Sequence, residues 1–467
     1  MDDKTLCWKT LTQVADLIES KEVSSEELTL ACLSRIGELD GQLRSYATLM
    51  QDHAIIAAQR ADQEIASGSY HGPLHGVPIA VKDLCFTKGV PTMGGSQALV
   101  DHIPDFDGTV VERLEGAGAV LLGKLNLTEG AMGGYNPKFD VPLNPWETGR
   151  WPGASSSGSG VATAAGLCYG SLGSDTGGSI RFPAASCGTV GLKPTWGRVS
   201  RHGVLALAES LDHVGPLTRS VVDAAIILET ISGQDPRDAT SIPDIVPDML
   251  EGIRSGVKGV RLGVDERFIA HDVDPEVANA VLEAVSVLQD LGADIVEVSV
   301  QNLDSYVSAW AVLCSAEAVA AHSETYPERR NDYGPWFQAW LDMGAKVSGA
   351  DYARANTLRA ACKGHLLGVL SQVDVLMCPS MADPPHPLTM ESQYGPLREE
   401  RRPRFQRFTV PFNFSGTPTL SLPCGMNSEG LPLSVQFAGN PLSEPLLCRV
   451  GHSYEEATDW HQLHPDV

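Results

Sequence analysis

The chain is poor in positive charge: 34 Lys+Arg stand against 58 Asp+Glu, a formal net charge of −24 over 467 residues. Such an excess of carboxylates repels polyphosphates and anionic lipid, so nucleic acid and membrane are excluded as partners, and a small or neutral molecule is expected instead. Long apolar runs are missing too. No stretch reaches the roughly 18 apolar residues of a spanning helix, and the opening MDDKTLCWKT has no basic segment leading into an apolar one, so the expected location is the cytoplasm. The ten cysteines, scattered from Cys7 to Cys448, form no CxxC pair, which points away from both a zinc site and a disulfide framework. His71 and His75 have the spacing of helical metal ligands, but Gly72 and Pro73 between them break that helix, so no metal is expected. A G-x-S-x-G nucleophile elbow is also absent.

What is present is a globular composition, 43% hydrophobic against 20% charged, on a chain long enough for two or three average domains or one large α/β domain. Residues 9–38 read as two helices, the second opened by a Ser24–Glu27 capping box and carrying Leu28, Cys32 and Ile36 on one face. From Gly72 onward, short apolar runs alternate with Gly and Pro. Residues 77–81 read as a strand with Lys82 at its end; such a lysine is ordinarily solvated, but ligands in α/β sheets collect at strand ends. Gly118 to Lys124 spell G-x-x-x-x-G-K, yet Leu125 replaces the Ser or Thr that would hold magnesium, and 119–122 read as strand, so no nucleotide or other cofactor is expected. The texture of 226–365 is more helical, with a helix over 274–291 and a strand over 293–300. Its aromatics, Trp310, Tyr333, Trp336, Phe337 and Trp340, are expected in the core, with a pocket wall as the alternative. VDVLMCPS, GTPTLSLPCG and LPLSVQFAG return to strands. The dense basic run at 398–407 reads as a solvated loop, with anion steering as the alternative.

Residues 153–181 are the densest feature, with eight glycines and seven serines around an apolar centre, Val161 to Cys168. The pattern is loop, buried helix, short strand and second loop, with glycines that let backbone N–H groups approach a ligand. Ser155 opens the first loop and Ser179 closes the second. A serine nucleophile needs a base, and a lysine serves if burial lowers its pKa from about 10.4; Lys82, beside an apolar strand, is the candidate expected to meet that condition. Thr176, Gly177, Gly178 and Ser179 then offer N–H groups to an oxyanion. A phosphate-binding glycine loop would use the same groups.

The pieces GVPIAVKD around Lys82, NPWETGRWPGASSSGSG around Ser155 and GSDTGGSIRFPAASCGTVGLKPTWGRVS around Ser179 resemble the amidase signature family. The resemblance runs from about residue 8 to the C-terminus and is weakest over 226–365. It implies an α/β fold with a large mixed central sheet covered by helices on both faces, as one domain over 1–467. Within that domain it implies an N-terminal helical arm (1–66), a catalytic core (67–225 and 366–467) and a variable segment (226–365) shaping the substrate pocket. It also implies hydrolysis of a small amide, carbamate, urea or ester without a cofactor. By position, Ser179 is the nucleophile, Ser155 the cis-serine after Ala154 and Lys82 the base. Thr176, Gly177, Gly178 and Ser179 form the oxyanion hole, and Asp175, Arg181 and Ser156 support it. Ala154 and Ser157 depart from the family's GGSSGGS. The resemblance also covers the A subunit of the tRNA-dependent glutaminyl amidotransferase, whose FGxEVKRR-type segment is not found here, and non-catalytic relatives; a homodimer is compatible with it.

Overall fold

The apolar runs lack alternation because their strands are covered on both faces: all residues of β2 (Pro78–Lys82), β3 (Val120–Leu125) and β4 (Gly170–Asp175) are buried. The computed structural model describes residues 3–395 and 402–467. The remaining strands are β1 (Tyr46–Leu49), β5 (Val190–Lys193), β6 (His213–Thr218), β7 (Arg261–Val264), β8 (Asp294–Glu297), β9 (Val375–Pro379), β10 (Thr419–Met426) and β11 (Pro432–Gly439). All eleven join one mixed sheet in the order β1-β3-β2-β4-β6-β5-β10-β11-β9-β7-β8. Third from one edge, β2 is parallel to both β3 and β4, so the C-terminal ends of all three open onto the same side of the sheet.

The sheet draws on every part of the chain. The N-terminal segment is therefore not only a helical arm, since β1 pairs antiparallel with β3, and 226–365 supplies β7 and β8 at the opposite edge. The helices Leu11–Glu19 and Ser25–Leu43 both begin with capping boxes, from Thr10 and from Ser24 with Glu27, and bury Leu28, Cys32 and Ile36 as the period predicts. Asp223 at the start of the helix Val221–Ile231 accepts from the N–H groups of Leu11 and Thr12, each at 3.0 Å, which fastens the first helix to the body. The helix expected over 274–291 is Pro275–Asp290, and the following strand is β8.

The G-x-x-x-x-G-K run is mostly strand, as expected. Gly118 is needed for its φ of +83° and because a Cβ there would lie 2.3 Å from the His75 ring. All ten cysteines are buried, with no disulfide among the described residues. Among those residues no helix is long and apolar enough to cross a membrane.

Candidate active site

Lys82 ends β2 with no exposed surface, and its Nζ donates to three hydroxyls: Ser155 Oγ at 2.7 Å, Ser156 Oγ at 2.8 Å and Ser174 Oγ at 2.9 Å. Burial pulls its pKa down from the usual lysine range to about 7, against the more distant pull of Asp175 and Asp212. Ser155 and Ser156 come from the loop before the helix Ser157–Ala164, which packs on β4, while Ser174 is the penultimate residue of β4 itself. The Ala154–Ser155 peptide is cis, as the family resemblance implies. A backbone bond from Ser156 N–H to the Ser179 carbonyl, at 3.4 Å, joins the two loops.

The second loop is braced from beneath. Arg181 donates to both oxygens of Asp175, from Nη2 at 2.9 Å and Nε at 3.0 Å, and both side chains are fully buried. Burial alone would raise the Asp175 pKa, but the adjacent guanidinium and the Asn413 amide hold it well below the usual carboxylate range. Asp175 also accepts from Gly178 N–H at 2.8 Å and Ile180 N–H at 3.1 Å, which bends the chain back over its own carboxylate. Here the structure corrects one expectation. The Gly178 N–H is already donated to Asp175, so of the four expected oxyanion donors only those of Thr176, Gly177 and Ser179 are left by this brace.

Ser179 is half-buried and faces a cavity of about 170 Å³. Among the described residues its wall carries no charged side chain, and its apolar part is built largely from Phe182, Trp310, Trp336 and Phe405. The aromatics of 226–365 therefore divide: Phe337 and Trp340 are core, whereas Trp310 and Trp336 are pocket wall. Trp310 has a further task, because its Nε1 donates to the Thr176 carbonyl at 2.8 Å and its ring covers Gly177, where a Cβ would lie 2.6 Å from Cζ2. Ala154, one of the two departures from the family pattern, also lines this cavity, so its methyl group is part of the wall.

Several contributors were not visible in the sequence. Ser174 reads as an ordinary strand residue until β4 is placed beside β2. Asp212 accepts from Thr176 Oγ1 at 2.5 Å and from the N–H groups of Leu207 and Ala208, and burial pushes its pKa up to about 6 although Thr176 and Arg201 oppose the shift. Ser156, expected as support, touches the amine itself. Of the basic run, residues 398–401 lie outside the described residues; Arg404 pairs with Asp383 at 2.6 Å, and Arg407 donates to the His271 carbonyl at 2.6 Å. His71 and His75 do approach each other, and with Glu64 their ligand atoms lie within 4.8 Å. His75 Nδ1, however, accepts from the His71 backbone N–H, which places the ring proton on the Nε2 that faces Glu64 at 3.1 Å. The arrangement closes as a hydrogen-bonded turn.

A family model described as amidase matches residues 27–448. AmiD of Mycobacterium tuberculosis, a protein designated an amidase, is 44% identical over all of this chain and 98% of its own length. A glutamyl-tRNA(Gln) amidotransferase component from a Geobacter species is 40% identical over 97% of this chain and 98% of its own. The peptide amidase structure from Stenotrophomonas maltophilia superposes with a TM-score of 0.84 at 30% identity, covering 96% of each chain. The large mixed sheet, the cis peptide before Ser155 and similarity along nearly the whole length agree, and the chain belongs to the amidase signature family.

Proposed function

We propose that the chain hydrolyses the C–N bond of a small neutral amide through an acyl-enzyme on Ser179, with Ser155 relaying a proton to Lys82. The observation that carries this reading is the environment of the Lys82 amine: fully buried, in contact with three hydroxyls, and titrating near neutrality. A neutral Nζ takes the Ser155 proton while Ser155 takes that of Ser179, whose Oγ bonds to the substrate carbonyl carbon. The oxyanion meets the N–H groups of Thr176, Gly177 and Ser179. As the tetrahedral intermediate collapses, the C–N bond breaks and the proton returns through Ser155 to the leaving nitrogen. Water repeats the cycle and frees the acid.

A second reading, release of ammonia from glutamine for a partner, has support in the 40% identity to an amidotransferase component. The cavity speaks for the first. Free glutamine brings an ammonium and a carboxylate that both need partners on burial, and the described lining offers no charge, whereas an apolar or aryl acyl group fits its aromatic wall. A panel of anilides, primary amides, carbamates, ureas, esters and glutamine, assayed side by side, is expected to favour the neutral aryl compounds. Preference for glutamine would move the assignment to the second reading, and absence of turnover on every member to a binding protein. Ser179→Ala is expected to reduce kcat about 10⁴-fold or more with the fold intact; substantial residual turnover rejects Ser179 as nucleophile.

A further inference from the structure

Glu129 is buried to 1% exposure between two walls of the cavity, and the proposed proton path does not use it. It lies in the loop after β3, immediately before Ala131, Met132 and Gly133, which line the cavity, and its neighbour Thr128 donates its N–H to the Ser155 carbonyl at 3.2 Å. Its carboxylate accepts three bonds: from Ser96 Oγ at 2.8 Å and Asn136 Nδ2 at 2.9 Å on Oε1, and from Gly334 N–H at 2.7 Å on Oε2. Gly334 is the residue before the helix Pro335–Gly344, which carries Trp336. That helix rests directly on the Glu129 loop: a Cβ on Gly134 would lie 2.6 Å from Trp336 Cγ, and one on Gly130 would lie 2.3 Å from the Phe337 ring.

We propose that Glu129 is a positioning residue that pins the Trp336-bearing helix to the 131–133 wall and thereby fixes the width of the substrate pocket. Hydrogen-bond polarity makes the carboxylate necessary. Asn136 cannot turn its amide to offer an acceptor, because its Oδ1 accepts from Lys138 N–H at 3.1 Å and its Nδ2 also donates to the Asp332 carbonyl at 2.9 Å. The Gly334 N–H cannot reverse either. A glutamine at 129 has one oxygen and one NH₂, so in either orientation a donor meets a donor. The first segment to yield is the one held by Gly334, and Trp336 moves with it.

The inference rests on the proposed site but is tested without turnover. Uncleavable aryl ketones of increasing width, isosteres of the anilide series, are titrated calorimetrically into the wild type, Glu129→Gln, Trp336→Ala and the double variant. Expected is a loss of affinity in E129Q of about tenfold for the widest ketone and under twofold for the narrowest, with no further loss when E129Q is added to W336A. Uniform weakening across the series, or additive effects in the double variant, overturns the proposal. If E129Q does not fold by circular dichroism, Ser96→Ala withdraws one donor, keeps the carboxylate, and is expected to give the same size ordering at smaller amplitude; a flat ordering there overturns the proposal equally. Wild type that binds none of the ketones also overturns it. Ketone binding with the predicted pattern but no hydrolysis of the anilides would sink the hydrolase reading and leave the role of Glu129 standing.

Discussion

Two buried lysines sit side by side in the sheet and serve different ends. In the parallel pairing of β2 with β3, Lys82 stands opposite Leu125 and Lys124 opposite Val81, so the two amines leave the sheet on opposite faces. Neither has any exposed surface. On its face Lys82 donates, among the described residues, to the hydroxyls of Ser155, Ser156 and Ser174. On the other face Lys124 meets a carboxylate, Asp83 Oδ1 at 3.3 Å, and Thr92 Oγ1 at 2.7 Å. Burial lowers the pKa of both, but at Lys124 the Asp83 charge opposes it directly. Hydroxyls solvate an amine in either protonation state, whereas a carboxylate favours the cation. One lysine is thus equipped to exchange a proton and the other to hold two strands together.

The largest expected consequence of that contrast is kinetic. Lys82→Met should lower kcat by about 10⁴-fold while its urea midpoint stays at or above wild type, since a desolvated amine has been removed. Activity surviving near the wild-type level would make Lys82 a second strut. Next comes stability. Lys124→Met strands the Asp83 carboxylate in the interior and should cost about 3–5 kcal/mol of unfolding free energy by urea titration, with much of the loss recovered in the Lys124→Met/Asp83→Leu pair. Loss of turnover without loss of stability would instead bring Lys124 into the chemistry.

The smallest change sharpens the comparison by making one lysine resemble the other. With its pKa near 7, Lys82 in the proposed path is a neutral base above that pH and an inert ammonium below it, so kcat/KM of the wild type should rise through about 7 and level off. Ser156→Asp places a carboxylate where Lys124 has one, which favours the cation. The rise should then move to higher pH by about one unit, equivalent to about 1.4 kcal/mol. A limb that stays in place would detach the profile from Lys82.

The same contrast shows what the sequence could and could not say. Lys82 at a strand end, Ser155 and Ser179 in glycine-rich loops, the strand over 119–122 and the capped N-terminal helices were legible, because each depends on residues close in the chain. Ser174, Asp212 and Glu129 were not, nor was the bond of Trp310 to Thr176, since nothing near them announces a partner 36 to 205 residues away. Their meaning comes from strand order and from a helix of the weakly matched segment folding back over the loops. The role of Gly178 was misjudged for a related reason: the sequence shows that a glycine can expose its N–H, not which acceptor reaches it first.

Arg181 closes on more than Asp175. Its Nη1 donates to the Thr409 carbonyl at 3.0 Å and Gln436 Oε1 at 3.1 Å, and its Nη2 to Asn413 Oδ1 at 2.7 Å, partners 228 to 255 residues further along the chain. During synthesis the serine loop is therefore complete only after β11 has left the ribosome. A nascent chain stalled before that point holds every residue of the proposed Lys82–Ser155–Ser179 path and still lacks the scaffold that shapes the loop. Chemical competence is then acquired late and all at once, so fragments abandoned during translation would not act as stray hydrolases.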